Sequence, residues 1–427
     1  MLLAILFLGS LVLLFTGMPI FAALALSAVA TKWFAAGNLG GLVEAFTGEI
    51  NSYLLVAIPL FAFMANIMIR TRVVDDLFAF AHALTRNLPG GLAVATTICC
   101  TIFAAISGSS VATALTIGAV AIPQMVRYGY SLERATGAVA GGGTLGILIP
   151  PSGPMILFAL VSDASIGGLF VAGIVPGLLL AGIFAVFQMI TSRRRRDEQT
   201  LPRATLGELG HSLRNSIGAL TLPAIVLGGI YSGYFTPTEA AAIGCFGAML
   251  VAAIFYRTLT IPVVYQSARD ALLIAAMLLL IVGASGMFSH VLTLTRLPNA
   301  VLEYVVALNL SQLSFLLMLM AVIFLLGTFL EAVAIILIVT PIVLPSLIAL
   351  DVNLIWFGIL LVINLELALL SPPVGMNLFV LKGISNATLG QITRGSVPYM
   401  LILVGFLLLC LFVPQIVTWL PTQAGYR

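Results

Sequence analysis

Apolar runs of about 20 residues recur along the chain between short polar or basic segments, each long enough for a helix to cross the roughly 30 Å hydrocarbon core of a bilayer. A chain of this length could supply on the order of ten such crossings. Two stretches break the pattern. Residues 92–126 read LAVATTICCTIFAAISGSSVATALTIGAVAIPQMV, two apolar segments too short to cross, parted by Ser107-Gly108-Ser109-Ser110. This predicts a helical hairpin that dips partway into the membrane and returns. Residues 314–348, around LGTFLEAVAIILIVTPIVLP, predict a second hairpin. Beyond each hairpin lies an apolar run with adjacent prolines, GGGTLGILIPPSGPMILFAL and LELALLSPPVGMNLFVLKG. Each Pro removes a helix donor, so both runs are expected to break mid-membrane, the first over Gly146 to Gly153.

The prolines at these breaks repeat. Pro123, Pro150, Pro151 and Pro176 recur 222 residues later as Pro345, Pro372, Pro373 and Pro398, and Thr71-Arg72 returns with slight drift as Thr295-Arg296. The chain therefore reads as two similar halves, 1–190 and 218–427, joined by a basic linker at 191–217. Each half is expected to hold about five crossings and one re-entrant hairpin, and an odd number of crossings inserts the second half upside down. With Arg193 to Arg196 placed in the cytoplasm, fifteen of the eighteen Lys and Arg residues fall on that side. Lys32, Arg296 and Arg427 remain outside, and both termini are expected there. The expected fold class is thus an all-α polytopic membrane protein of two inverted repeats.

Composition agrees. An apolar content of 61%, a charged content of 8% and a mean hydropathy of +1.19 exclude an ordinary soluble domain. Met1 to Ala30 carries no Lys or Arg and so lacks the basic n-region of a cleaved signal peptide. Cys99, Cys100, Cys245 and Cys410 lie in apolar runs without CxxC spacing, which points to packing rather than metal or redox chemistry. Neither Lys32 nor Lys382 belongs to a GK[ST] phosphate loop, and His82, His211 and His290 are scattered without an HExxH pattern. No enzymatic activity is expected.

Helices that meet inside a membrane leave N–H and C=O groups that hydrocarbon cannot satisfy, so each break must face protein, water or an ion. Free carbonyl oxygens at four breaks suit a small hard cation, of which sodium is the natural candidate. Glu331 falls opposite Ser109 at the 222-residue offset, and Gly375 opposite Gly153. A Glu is costly in lipid, so Glu331 is expected to line a cavity or orient an ion site. Asn364, Glu366 and Asn377 are further buried-polar candidates, while Glu239 in YFTPTEAAAIG reads as the first turn of a helix capped by Thr238. Thr71 to Leu84 and Thr295 to Leu308 have the spacing of helices lying along the interface. For any single break, proline as a simple kink and glycine as a packing contact remain the alternative.

Together GGGTLGILIPPSGPMIL, SGSSVATA followed by IP, and NLELALLSPPVGMNLFV resemble the large membrane subunit of tripartite ATP-independent periplasmic (TRAP) transporters, over essentially the whole chain. The resemblance implies a sodium-coupled importer of organic acids in the bacterial inner membrane, with an elevator-type core moving against a scaffold. It implies two partners, a small four-helix membrane subunit and a soluble periplasmic substrate-binding protein. By matching positions it also implies two sodium sites. One would use Ser107, Gly108 and Ser109 with Gly146 to Pro150, and the other Gly327, Thr328, Leu370 and Pro372. Substrate would lie between them, near Ser110, Ser152, Gly375 and Asn377. Which organic acid is carried is not legible. A stand-alone divalent-anion/sodium symporter of similar architecture, needing no partner, is the nearest alternative.

Overall fold

The computed structural model describes residues 9–10, 12–71, 73–193 and 201–426, and every regular element among them is a helix. The chain runs through α1 (Ile20–Ala36), α2 (Leu42–Ile50) and α3 (Ala57–Ile69), with a 52° bend between α2 and the segment that ends in α3. A shorter helix, α4 (Val73–Thr85), leads into the hairpin α5 (Gly91–Ser107) and α6 (Ser110–Arg127). The broken run follows as α7 (Leu132–Leu148) and α8 (Gly153–Ser162), and then α9 (Ile166–Arg193). After the linker come α10 (Leu206–Tyr231), α11 (Pro237–Leu250) and the long α12 (Ile261–Leu294). The remaining elements are α13 (Leu297–Ala307), α14 (Gln312–Gly327), α15 (Ala332–Ala349), α16 (Leu354–Leu369), α17 (Met376–Ile384), α18 (Leu389–Phe412) and α19 (Gln415–Gln423).

Among the described residues eight helices are long and apolar enough to cross a membrane, or nine with the bent α2–α3 segment counted as one span. The tally is not the ten expected: it includes the hairpin arms α6 and α15, while α1, α14 and α16 have only 16 or 17 residues and the N-terminal run lies largely outside the described residues. Arg72, Arg194 to Arg196 and Arg427, which entered the orientation argument, also lie outside them. The hairpin arms are longer than the sequence suggests. At 17 and 18 residues, α5 and α6 run to about 26 Å each at 1.5 Å per residue, so their length alone does not hold them to half depth.

Local chemistry fixes several helix starts. Thr205 with Glu208, Thr236 with Glu239, and Thr388 with Gln391 form reciprocal capping boxes that satisfy otherwise orphaned N–H groups. The cap of α11 is therefore Thr236 and not the expected Thr238, which lies inside the first turn.

Two helices form the buried centre. Every residue of α7 from Ala135 to Leu148 and of α16 from Ile355 to Leu369 is buried. On α7, Gly137 meets the backbone of Gly395 on α18, Gly141 lies under the Tyr399 ring, and Gly143 abuts Ala114 of α6; a Cβ at any of the three would overlap its neighbour. Between membrane helices the attraction comes largely from close van der Waals contact, so small residues decide where helices can meet. A second group forms where α12 packs on α1, α2 and α3. There Arg70, at the end of α3, pairs with Asp270 at 2.5 Å and donates to Gln266 at 3.0 Å.

The inter-half linker is clasped by one side chain. Arg86 donates to the carbonyls of Pro202 (2.8 Å) and Arg203 (3.1 Å) and pairs with Glu208 (2.7 Å), while its own carbonyl accepts from Leu201 N. Arg86→Ala is expected to speed tryptic cleavage within the linker several-fold while leaving the melting temperature nearly unchanged, because exposed ion pairs are screened. Unchanged cleavage would show that the linker is held by something else.

Candidate functional site

The four helix breaks meet in two pairs. Gly108 closes α5 in the left-handed region (φ +60°), and a Cβ there would run into the carbonyl oxygen of Pro151 in the α7–α8 break. A Cβ on Gly146 would overlap the backbone of Ser109 and Ser110. This corrects one expectation: Gly146 lies inside α7, the irregular backbone is Ile149–Ser152, and the missing side chain admits the hairpin tip. In the second pair, Val374 N donates to the Thr328 carbonyl at 3.3 Å, and Gly327 packs on Ala368. The Pro150–Pro151 and Pro372–Pro373 peptide bonds are both cis.

The first expected ion set is thus brought together: Ser107, Gly108, Ser109 and Gly146 share one contact region, with Pro150 buried in the break. Ser107 Oγ bonds Thr113 Oγ1 at 2.9 Å, and the Ser109 carbonyl accepts from Thr113 N and Oγ1 at 3.0 and 2.8 Å. The second set is looser. Gly327, Thr328 and Leu370 are buried, Pro372 is exposed, and the Thr328 hydroxyl donates to Leu325 O at 2.8 Å.

Of the expected substrate set, Ser110 and Asn377 are bonded directly, Asn377 Nδ2 donating to Ser110 Oγ at 2.7 Å. Ser152 is fully buried and its hydroxyl has no partner, while Gly375 precedes α17 in the left-handed region (φ +47°). A cavity of ≈ 290 Å³ opens beside the first hairpin tip, lined by Ser107 to Ala112, by α3 and α12, and by Glu331. Ser152, Gly375 and Asn377 do not line it. Glu331 is the N-cap residue of α15, yet its carboxylate makes no capping hydrogen bond and faces the cavity.

Chemically the region offers both polarities. The C-terminal turns of α5 and α7 present carbonyl oxygens suited to a cation, and the N-terminus of α6 presents N–H groups suited to a carboxylate. Two participants were not placed in the site from sequence. Asn66 lines the cavity, its amide donating to Ala62 O at 2.9 Å. Glu366, noticed as a Glu inside an apolar run but given no role, lies 3.0 Å from Ser110 Oγ at the centre of the protein. In both cases the available signal was a polar residue within apolar sequence.

Comparison with known proteins agrees with this architecture. The family described as tripartite ATP-independent periplasmic transporter, DctM component, matches residues 7–416. The C4-dicarboxylate TRAP transporter large permease protein DctM of Pseudomonas aeruginosa is 40% identical over 373 residues, covering 87% of each chain. The isethionate TRAP transporter permease protein DctMQ of Oleidesulfovibrio alaskensis is 35% identical, over 94% of this chain and 64% of that relative. Among solved structures, the Alcanivorax borkumensis YdaH transporter superposes with a TM-score of 0.64 at 15% identity, covering 87% of each chain, a likeness of fold.

The packing of the first pair can be tested by one methyl group. Gly146→Ala is expected to destabilise the protein by on the order of 1–3 kcal/mol through overpacking against the tip. Gly153→Ala, where no atom lies within 4 Å of the new Cβ, should be close to neutral. Thermal melts of the purified variants in detergent check both, and equal melting temperatures would mean the tip moves aside freely.

Proposed function

The chain belongs to the DctM component family of tripartite ATP-independent periplasmic transporters, and from that membership we propose a sodium-coupled permease that imports an organic acid anion across the bacterial inner membrane. The observation that carries this reading is the meeting of a hydroxyl-rich hairpin tip with a broken helix beside a cavity that Glu331 also lines. Helix C-termini supply hard carbonyl oxygens for two sodium ions, one at Ser107, Gly108, Ser109, Gly146 and Pro150, the other at Gly327, Thr328, Leu370 and Pro372. The helix N-terminus beside them receives the carboxylate of the substrate near Ser110, Ser152, Gly375 and Asn377. C4-dicarboxylate and isethionate in the names of two relatives favour a small organic anion.

In this reading the two halves are inverted, the linker is cytoplasmic and both termini are periplasmic. The hairpins and broken helices move as an elevator against the helices around α12. A small four-helix membrane subunit and a periplasmic binding protein complete the transporter. The relative named DctMQ, which extends well beyond this chain, supports a second membrane component.

The test is uptake in liposomes holding this chain and its small subunit, with and without the binding protein, under an imposed sodium gradient. Rapid saturable uptake is expected when sodium and binding protein are both present, and not after potassium replaces sodium. Equal uptake in potassium would overturn the sodium coupling, and full uptake without the binding protein would favour a stand-alone symporter. Glu331→Gln is expected to shift the sodium concentration curve to higher sodium, since it removes the one charge placed at the second hairpin tip. An unchanged curve would return Glu331 to a cavity-lining role.

A further inference from the structure

A second cavity, of ≈ 520 Å³, takes no part in the ion and substrate sets above. Among its lining residues are Ser285, Ser289 and Thr293 of α12 and Leu337, Pro341 and Pro345 of α15. Both sets are spaced by four residues, so each forms a row along one helix face at about 6 Å per step. The rows carry complementary groups. Pro341 and Pro345 have no N–H, so the carbonyls of Leu337 and Pro341, four residues earlier in α15, lose their helical donor. Against them α12 offers three hydroxyls. One pairing is made: Ser285, 4% exposed, donates from Oγ to Leu337 O at 3.2 Å. Among the described residues Ser289 and Thr293 make no such bond to α15, and Thr293 Oγ1 turns back to Ser289 O at 3.0 Å. Pro345 repeats Pro123 of the first hairpin, but Pro341 falls opposite Ala119 at the 222-residue offset. The carbonyl that Ser285 meets therefore has no proline-freed counterpart in the first hairpin.

We propose that the two rows are a register device, on which α15 steps along α12 by one turn, about 6 Å, so that Ser289 replaces Ser285 as the donor to Leu337 O and Thr293 donates to Pro341 O. The step has a direction. Toward the start of α12 the same face continues with Ile281 and Met277, which have no hydrogen to give, whereas toward its end it continues with hydroxyls. The cavity is the space through which those hydroxyls are reached. Positions between the two registers set ridge on ridge and leave Leu337 O without a donor away from water, so two discrete positions are favoured over a continuous slide. Such a device presupposes the movement of the hairpins against α12 proposed above, and it fixes the length of the step, its direction and the residues that hold each position.

The experiment is cysteine cross-linking by mercuric ion in the reconstituted chain, with Cys99, Cys100, Cys245 and Cys410 replaced by Ala. Ser285→Cys with Leu337→Cys marks the present register, and Ser289→Cys with Leu337→Cys marks the shifted one. Both pairs are expected to link, while Ile281→Cys with Leu337→Cys, one turn the other way, is not. Adding Ser285→Ala to the shifted pair should raise its yield several-fold, because the present register then loses its hydrogen bond. No link in the shifted pair, equal links at Ile281 and Ser289, or a yield unmoved by Ser285→Ala would each overturn the device. A second measurement reads the wider movement without touching the rows. Glu44 of α2, which packs on α12, and Asp163, beside the α8 that packs on α15, are both exposed and accept spin labels after Glu44→Cys and Asp163→Cys. Two label distances several ångströms apart are expected. Two distances without the shifted link would keep the movement and sink the device. A shifted link with one fixed distance would keep the device and confine the movement to α15, and neither signal would sink both.

Discussion

A helix that stops where water cannot reach leaves carbonyl and N–H groups in need of a partner, and this chain breaks its apolar helices at four such places. Much else in the structure answers that one difficulty. Each hairpin tip lies against a broken helix, so that the loose ends of one break are covered by the backbone of another. Covering requires backbone to touch backbone, which explains Gly108 against Pro151 and Gly146 against Ser109. The hydroxyls of Ser107, Thr113, Thr328 and Ser371 take up local polar groups around these breaks. What they leave free is a small set of oxygens and N–H groups at one place, and that is the raw material of a binding site.

The same requirement makes α7 unusual. It must touch α5, α6 and α18 while carrying the first break at its C-terminal end, and its glycines at 137, 141, 142, 143 and 146 remove the side chains that would hold those helices apart. The Ser110 hydroxyl then joins the first hairpin to Glu366 of α16 and Asn377 of α17, elements that belong to the second broken run. Hydrogen bonds thus connect the first hairpin tip directly to both helices of the second broken run.

Legibility followed physical cause. The long apolar runs, the hairpins and the double-proline breaks were readable because each leaves a local mark: length, a Ser-Gly-Ser-Ser tip, or a missing donor. A helix was expected over Thr71 to Leu84, and α4 spans Val73–Thr85. Contacts that depend on how the runs meet were not readable. Nothing in the spacing of Gly146 says that it receives Ser109, and nothing near Glu366 says that Ser110, 256 residues away, will find it. The cap of α11 was misplaced by two residues because YFTPTE holds two threonines, and only the one three residues before Glu239 completes the reciprocal box.

The two breaks share a motif but not an environment. Pro150 and Pro151 are buried, whereas Pro372, Pro373 and Val374 are exposed. Sequence symmetry thus coexists with structural asymmetry, and the difference lies in what covers each break. The first is closed by Gly108 seated on Pro151, while the second combines the contact of Gly327 on Ala368 with a 3.3 Å hydrogen bond from Val374 to Thr328. A side chain fits at neither Gly108 nor Gly327, so the two breaks differ in how far their prolines are covered and not in the tightness of their glycine contacts.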